Sequence, residues 1–269
     1  MRIGLSYNQR PTAPSGDADA DPASTPSPSD AFAEWDEPET IEAVDQALRA
    51  FGDVVRLEAV DDFPERLARA EVDLLFNIAE GLLGPSREAH VPAIAKFLGV
   101  PYTASDPLTL TLALHKARAK EVFAARGVPT APFLLLEDEG GLDRLAAASY
   151  PLFLKPVWEG SSKGISEASY APDPEAAATC ARALLRTYRQ PVLAEAYLPG
   201  DEFTVAVLGN GAEMRALPVI RATDRIELPS TSARMIVARS ALLNRFILTL
   251  CVRVVPTVWH SPEPRAGES

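Results

Sequence analysis

One stretch, residues 151–164 with the sequence P-L-F-L-K-P-V-W-E-G-S-S-K-G, constrains the chain more than any other. A short apolar run predicts a strand that brings Lys155 to its end, where Pro156 prevents the strand from continuing as a central partner. The hydroxyls of Ser161 and Ser162, with a glycine on either side, could close over an anion. The stretch therefore predicts phosphate binding without the GKS/T loop of P-loop proteins. The alternative is a solvated lysine before a flexible Gly/Ser hairpin.

Composition limits the class of protein. With 269 residues, of which 47% are hydrophobic, the chain can bury a large core and form two or more compact units. The formal net charge of −11 argues against a nucleic-acid or anionic-membrane binder, since either needs a basic face. Cys180 and Cys251 are too few for a disulfide framework, so we expect core thiols in a reducing compartment. The N-terminus shows no export signal and the late apolar run is too short for a membrane span, which predicts a soluble, cytoplasmic protein.

The first 100 residues predict a β-α-β-α-β unit. A buried strand at residues 2–7 precedes a Pro/Ser/Asp/Ala-rich segment at 10–30, for which we expect a mobile loop. The helix from Pro38 should bury the apolar residues that follow at helical spacing, namely Ile41, Val44, Leu48 and Phe51. Two further strands, at 54–57 and 72–76, are separated by a short helix, and the continuous apolar character of the third indicates a parallel sheet. Ligand groups are then expected at the carboxyl ends of the strands.

The loop after the third strand carries charged groups at such an end. Glu80 and Arg87 lie in it and predict a substrate-binding site. The alternative is a helix-capping loop with Ser86 at its start and acidic residues in the first turn. Further helices follow, one of them beginning at Lys116, and a composition shift at residues 127–132 predicts a domain boundary.

The second half predicts a strand to residue 136, a helix around 142–147, the lysine strand, a helix at 174–188 and two linked strands that end at 208. Glu195 and Glu202 stand at the two sides of the last linker. One carboxylate could lie near the exocyclic amine of adenine and the other could accept hydrogen bonds from ribose hydroxyls. Alternatively both are solvated edge residues. Only in combination with Lys116 and Lys155 does the pattern favour a nucleotide.

In this order and spacing the motifs resemble those of the D-alanine–D-alanine ligase family of ATP-grasp enzymes, roughly over residues 70–220. The segments that carry the resemblance are V-P-Y-T-A-S at 100–105, L-H-K at 114–116, G-V-P-T-A-P at 127–132, L-K-P at 154–156, E-G-S-S-K-G at 159–164, V-L-A-E at 192–195 and G-D-E-F-T-V-A-V-L-G at 200–209.

The resemblance implies an α/β protein, α+β in its central part, with an ATP-grasp fold. It implies an N-terminal open parallel-sheet domain at residues 1–127, a nucleotide-binding region at 128–229 and an atypical tail at 230–269. In that family ATP phosphorylates a carboxylate, and an amine then attacks the acyl phosphate to form a dipeptide for peptidoglycan of the cell wall. The implied ligands are ATP, Mg²⁺ and a small amino acid, and the family commonly forms homodimers.

The resemblance also implies roles for single residues. Lys116 and Lys155 match lysines that hold ATP phosphates, and Glu195 matches the acid near the adenine amine. Leu198 matches the residue whose backbone meets the adenine ring, and Glu202 the acid on the ribose. The remaining ATP-binding positions lie in the phosphate-covering loop, where Ser161 is also the implied catalytic residue: Glu159, Ser161, Ser162 and Gly164.

Three departures bear on function. The family's glycine-rich segment with a substrate-orienting glutamate is replaced after the first strand by Asn8-Gln9-Arg10-Pro11. The loop with Glu80 and Arg87 also differs, and His115 stands where an acid commonly precedes the lysine.

The third departure is in the tail, where the family's magnesium ligands, an Asp and a Glu-x-Asn, are not found: no aspartate follows Asp224, and Asn244 lacks a glutamate two residues earlier. We expect a truncation or frame shift near residues 221–229, against the alternative of a genuine different ending. Three functions are open: a ligase of the D-alanine–D-alanine type, an inactive ATP-binding module, or a ligase for another amino acid.

Overall fold

The computed structural model describes residues 1–11, 30–209, 211–222 and 250–253. In these residues the strands are β1 Arg2–Tyr7, β2 Asp53–Glu58, β3 Leu74–Asn77, β4 Phe133–Leu136, β5 Leu152–Pro156, β6 Tyr170–Ala171, β7 Val192–Ala196, β8 Glu202–Val205, β9 Val207–Leu208, β10 Arg215–Ala216, β11 Ile220–Ala222 and β12 Leu250–Arg253. The α-helices are α1 Pro38–Leu48, α2 Phe63–Ala70, α3 Arg87–Phe97, α4 Pro107–Leu114, α5 Lys116–Ala125 and α6 Pro174–Tyr188. Shorter 3-10 helices span Glu139–Ala147, Glu167–Ser169 and Gly211–Glu213.

The N-terminal unit is a parallel sheet with strand order β2-β1-β3. Because β1 has a neighbour on each side, its residues Ile3 and Leu5 are fully buried. Helix α1 begins at a proline and packs an apolar stripe that includes Ile41 and Val44 against this sheet. The predicted β-α-β-α-β opening of an α/β protein is confirmed. The expectation for Phe51 is wrong: it follows the end of α1 and is 70% exposed.

The central unit is a four-stranded antiparallel sheet with order β4-β7-β5-β6. Helix α6 covers it with an apolar face of small residues and leucine, which allows the helix to lie close to the strands. Cys180 belongs to this face and is buried, as expected. The side chain of Cys251 is outside the described residues.

Pro156 ends β5 where the sequence predicts. Its register partner is Val192 of β7, whereas β6 pairs only with Leu152 and Phe153. The missing N–H of the proline therefore removes no bond to β6, and β5 can lie inside the sheet. Lys155 is thus held one residue before the strand end.

Two predicted elements differ in detail. The helix expected around residues 142–147 is the 3-10 helix Glu139–Ala147. The strand expected to reach residue 208 is divided: β8 pairs with β11 and β12, and β9 pairs with β10.

Several expectations fall outside the described residues. The mobile loop prediction concerns mainly residues 12–29, and the prediction of a truncated or frame-shifted ending concerns a tail of which β12 alone is described. In the described part of the chain, no helix combines the length and apolar character needed to cross a bilayer.

Candidate functional site

The centre of the site is Glu195, which accepts hydrogen bonds from two lysines. Phe153 is its register partner, so Lys155 of β5 lies diagonally across from Glu195 on the same face of the sheet. The Nζ of Lys155 donates to Oε1 of Glu195 at 2.5 Å, and the Nζ of Lys120 in α5 donates to Oε2 at 2.8 Å. Lys155 is therefore not a freely solvated lysine, and Glu195 is not a solvated edge residue.

The two lysines determine the charge of Glu195. Burial by itself would raise the pKa of the carboxyl group, but the charge of Lys155 and the hydrogen bonds from Lys120 and Lys155 outweigh it and lower the pKa. Glu195 is consequently ionised at neutral pH. An ionised carboxylate is an acceptor only, which suits an exocyclic amine as its partner.

Lys116 lies beside this pair. It begins helix α5, and its backbone N–H donates to the carbonyl oxygen of Val157 at 3.1 Å. Its Nζ donates to the carbonyl oxygens of Glu159 and Val157. Burial, followed by the positive charge of Lys155, lowers the pKa of Lys116 to about 8. Two ammonium groups close enough to repel each other form a favourable place for an anion.

The Gly/Ser loop follows directly after β5 and Trp158. Ser161, Ser162 and Gly164 have φ values of 44°, 62° and 72°, in the left-handed region. A Cβ on Gly164 would lie 2.6 Å from Cγ of Pro156, so this position requires glycine. Both serines are exposed, which leaves their hydroxyls accessible.

A carboxylate already contacts this loop. The N–H of Gly164 donates to Oδ2 of Asp30 at 2.8 Å, and the hydroxyl of Tyr188 donates to the same oxygen at 2.6 Å. Burial, and then the bond to Asp30, raises the pKa of Tyr188. One N–H group of the loop, that of Gly164, therefore donates to a carboxylate oxygen, and phosphate binding by the loop stays a prediction.

A buried ion network adjoins the loop. The Nη2 of Arg87 donates to both carboxylate oxygens of Glu34, at 2.7 and 2.6 Å, and its Nη1 donates to the carbonyl oxygen of Trp158. Lys163 lies 2.5 Å from Glu159 and 3.5 Å from Glu34. Arg87 and Glu34 are each about 5% exposed, so the contacts compensate charges that would otherwise be costly to bury.

The structure brings some predicted residues together. Lys155 contacts Glu195, and Lys116 lies near enough to Lys155 to feel its charge. Leu198 is half-buried in the linker after β7, and Glu202 is exposed on β8 in a different sheet. Glu80 is half-buried, and its backbone N–H donates to Oδ1 of Asn8 at 3.0 Å.

The alternative, that the loop after β3 only caps a helix, is supported in part. Ser86 precedes helix α3 but makes no side-chain capping bond, and Arg87, the first residue of α3, enters the ion network.

Sequence reasoning missed Lys120 and Glu34. The signal for Lys120 was its position one turn after Lys116, on the same side of a helix. No local signal identifies Glu34, because it follows a low-complexity segment.

A magnesium site would require a group of oxygen ligands. Among the described residues, one group offers carboxylate oxygens that lie within 4.8 Å of one another, formed by Glu34, Glu80 and Glu88. Oxygen ligands suit Mg²⁺, but Glu34 is already contacted by Arg87 and Lys163. These residues therefore do not make a fitting magnesium site.

Comparison with known proteins gives an independent view of the chain. A family model described as D-ala D-ala ligase C-terminus matches residues 122–228. The D-alanine–D-alanine ligase of Geobacter sulfurreducens is 33% identical over 180 residues, which cover 66% of this chain and 55% of that protein. The chain spans about half the length of the curated relatives it matches.

Solved structures show the same fold at low identity. The D-alanine–D-alanine ligase of Bacillus anthracis complexed with ATP has a TM-score of 0.57 at 18% identity, covering 90% of this chain and 78% of that one. The VanG D-Ala:D-Ser ligase of Enterococcus faecalis has a TM-score of 0.59 at 16% identity, covering 90% and 81%.

Proposed function

Because the chain belongs to the D-alanine–D-alanine ligase family of ATP-grasp proteins, we propose that it binds ATP at Lys116, Lys155 and Glu195 and acts in the ATP-dependent joining of a carboxylate to an amine. The observation that carries the proposal is the ion pair of Lys155 with the half-buried carboxylate of Glu195, next to a second lysine, Lys116, from a different element. A nucleotide is a ligand with both matching parts, a polyanion and an amine-bearing base.

In this proposal the phosphates lie against Lys155 and Lys116, and the exocyclic amine of adenine donates to Glu195. Lys155 exchanges its carboxylate partner for a phosphate oxygen, with little loss because one charge-assisted bond replaces another. The Gly/Ser loop covers the phosphates with its N–H groups and with the hydroxyls of Ser161 and Ser162. Leu198 and Glu202 supply the remaining nucleoside contacts, as the family resemblance implies.

The proposed reaction has two steps. A carboxylate oxygen of the first amino acid attacks the γ-phosphorus and ADP leaves. The amine of the second amino acid then attacks the acyl carbon, phosphate leaves and a proton is lost, which forms the peptide bond. The lysines neutralise charge that develops on the phosphates, and Ser161 helps to orient the first substrate. Magnesium, when bound, neutralises phosphate charge; no described residue is assigned to it.

The amino-acid substrate is a separate question. D-alanine is the first choice because relatives carry the name D-alanine–D-alanine ligase. A second candidate is another amino acid, because Glu80 and Arg87 belong to a segment that departs from the family pattern, and Arg87 is engaged by Glu34. The D-Ala:D-Ser specificity named for the VanG structure illustrates such variation within this fold.

Two assays test the proposal. Calorimetry measures ATP binding with and without magnesium, and phosphate release is then followed on adding D-alanine, D-serine or other amino acids. Lys155→Met should weaken ATP binding about tenfold to a hundredfold, because a charge-assisted bond is lost. Lys96→Met, at an exposed position of α3, is the matched control and should bind like the wild type.

The outcomes separate the candidate functions. Phosphate release with D-alanine supports the first substrate, and release with a different amino acid supports the second. ATP binding without phosphate release would indicate an inactive ATP-binding module. Absence of ATP binding would refute the proposal. A cytoplasmic location, where ATP is abundant, and a homodimer remain predictions.

A further inference from the structure

Lys120 is the second lysine on Glu195, and the ligase reaction as proposed does not use it. It lies one turn after Lys116 in α5, and the residue is only 8% exposed. Burial of an ammonium group is costly unless a charge compensates it. Its carboxylate partner at 2.8 Å is Glu195, and its Nζ also lies 5.4 Å from the centre of the Phe133 ring.

The two lysines on Glu195 are not equivalent. The side chain of Lys155 is 22% exposed, whereas that of Lys120 is 10% exposed. Lys155 is therefore the more accessible of the two to an incoming phosphate. Lys120, which is held by burial and by the Phe133 ring, stays.

If the Lys155 side chain moves from Glu195 to a phosphate, one carboxylate oxygen of Glu195 becomes free and the other still accepts a hydrogen bond from Lys120. We propose that Lys120 is a positioning residue that holds Glu195 ionised and oriented, so that the oxygen vacated by Lys155 accepts the hydrogen bond from the adenine amine. This inference rests on the proposed function. It adds a specificity-determining role to a residue outside the predicted ATP-binding set.

The role predicts base discrimination. In ATP the six-position of the purine carries an amine donor, whereas in inosine triphosphate it carries a carbonyl acceptor. A fixed, ionised carboxylate attracts the donor and repels the acceptor. The ratio of ATP affinity to inosine triphosphate affinity therefore reports how well Glu195 is held.

The test measures both nucleotides on the full chain with Lys120→Met, Lys120→Arg, Glu195→Gln and the double variant Lys120→Met with Glu195→Gln. Lys120→Met should weaken ATP binding about tenfold and lower the affinity ratio by a similar factor, because the carboxylate loses a charged partner. Lys120→Arg keeps the positive charge and should show nearly the wild-type affinity ratio. In the Glu195→Gln background Lys120→Met should have little further effect, because Lys120 acts through Glu195.

Circular dichroism checks that each variant is folded. If Lys120→Met does not fold, Lys120→Gln takes its place, with the same expected loss of the ratio. If folded Lys120→Met or Lys120→Gln kept the wild-type ratio of ATP affinity to inosine triphosphate affinity, the inference would be overturned and the proposed function would stand. Additive effects in the double variant would also overturn it. Failure of the wild type to bind ATP would overturn both the role of Lys120 and the proposed function.

Discussion

Glu195→Gln tests the electrostatics of the site without any ligand. Glu195 accepts from Lys155 at 2.5 Å and from Lys120 at 2.8 Å, and its side chain is 16% exposed. A glutamine keeps the shape but has one acceptor oxygen, and its amide N–H would face one of the two ammonium groups. Two largely buried lysines would then share one neutral acceptor.

The expected loss follows from these contacts. Breaking a buried ion pair by removing one charge costs about 3–5 kcal/mol. Since the amide oxygen retains one hydrogen bond, we expect Glu195→Gln to lower the free energy of unfolding by about 3 kcal/mol at pH 7.

The loss should depend on pH. The pKa of Glu195 is lowered in the folded protein, so its contribution is fully present above the unfolded value, about 4.3, and disappears as pH falls through the lower folded value. The difference between wild type and variant should therefore shrink in acid.

Urea denaturation followed by circular dichroism measures this difference at pH 7 and at acidic pH. Glu202→Gln is the matched control, because Glu202 is exposed on β8, and it should change stability little. A Glu195→Gln variant within about 0.5 kcal/mol of the wild type at pH 7 would refute the ion-pair account.

Three further predictions concern other parts of the site. ATP affinity should fall as pH rises through about 8, because Lys116 loses the proton that the phosphates require, and Lys116→Arg should abolish the fall in a calorimetric pH series. Arg87→Met should lower the free energy of unfolding by about 3–5 kcal/mol in urea, because Glu34 stays buried without its guanidinium partner. Gly164→Ala should cost about 2 kcal/mol or more by the same measurement, because φ is +72° and the new methyl group would overlap Pro156.

Each of these predictions has a matched control. Lys96→Met should leave the pH dependence of ATP binding unchanged. Arg69→Met removes an exposed ion pair to Glu65 and should have a small effect on stability. Gly84→Ala has a φ of +92° but no atom within 4 Å of the new methyl group, so its cost should be only the strain, about 1 kcal/mol. Equal effects in variant and control would contradict the assigned contacts.

The regular elements were predictable because their signals are local. Helix α6 follows from Asp173 as N-cap, Pro174 at its start and an apolar stripe. The parallel sheet follows from short apolar runs separated by amphipathic helices. Phe51 was misassigned because helical spacing continues past the residue at which the helix ends.

The contacts within the site were only partly predictable. Lys155 and Glu195 were recognised separately, but their pairing depends on the register between β5 and β7, which the sequence does not reveal. The bond between Arg87 and Glu34 joins residues 53 positions apart, and no local pattern predicts such a contact. Glu202 belongs to a different sheet from Glu195, and its contact with the ribose stays a prediction.

The most direct test is a crystal structure of the chain with a non-hydrolysable ATP analogue. We expect the phosphates to contact Lys155 and Lys116, and Lys155 to have left Glu195. The adenine amine should donate to Glu195, which Lys120 still contacts. An analogue bound elsewhere, with the Lys155 to Glu195 contact unchanged, would contradict this expectation.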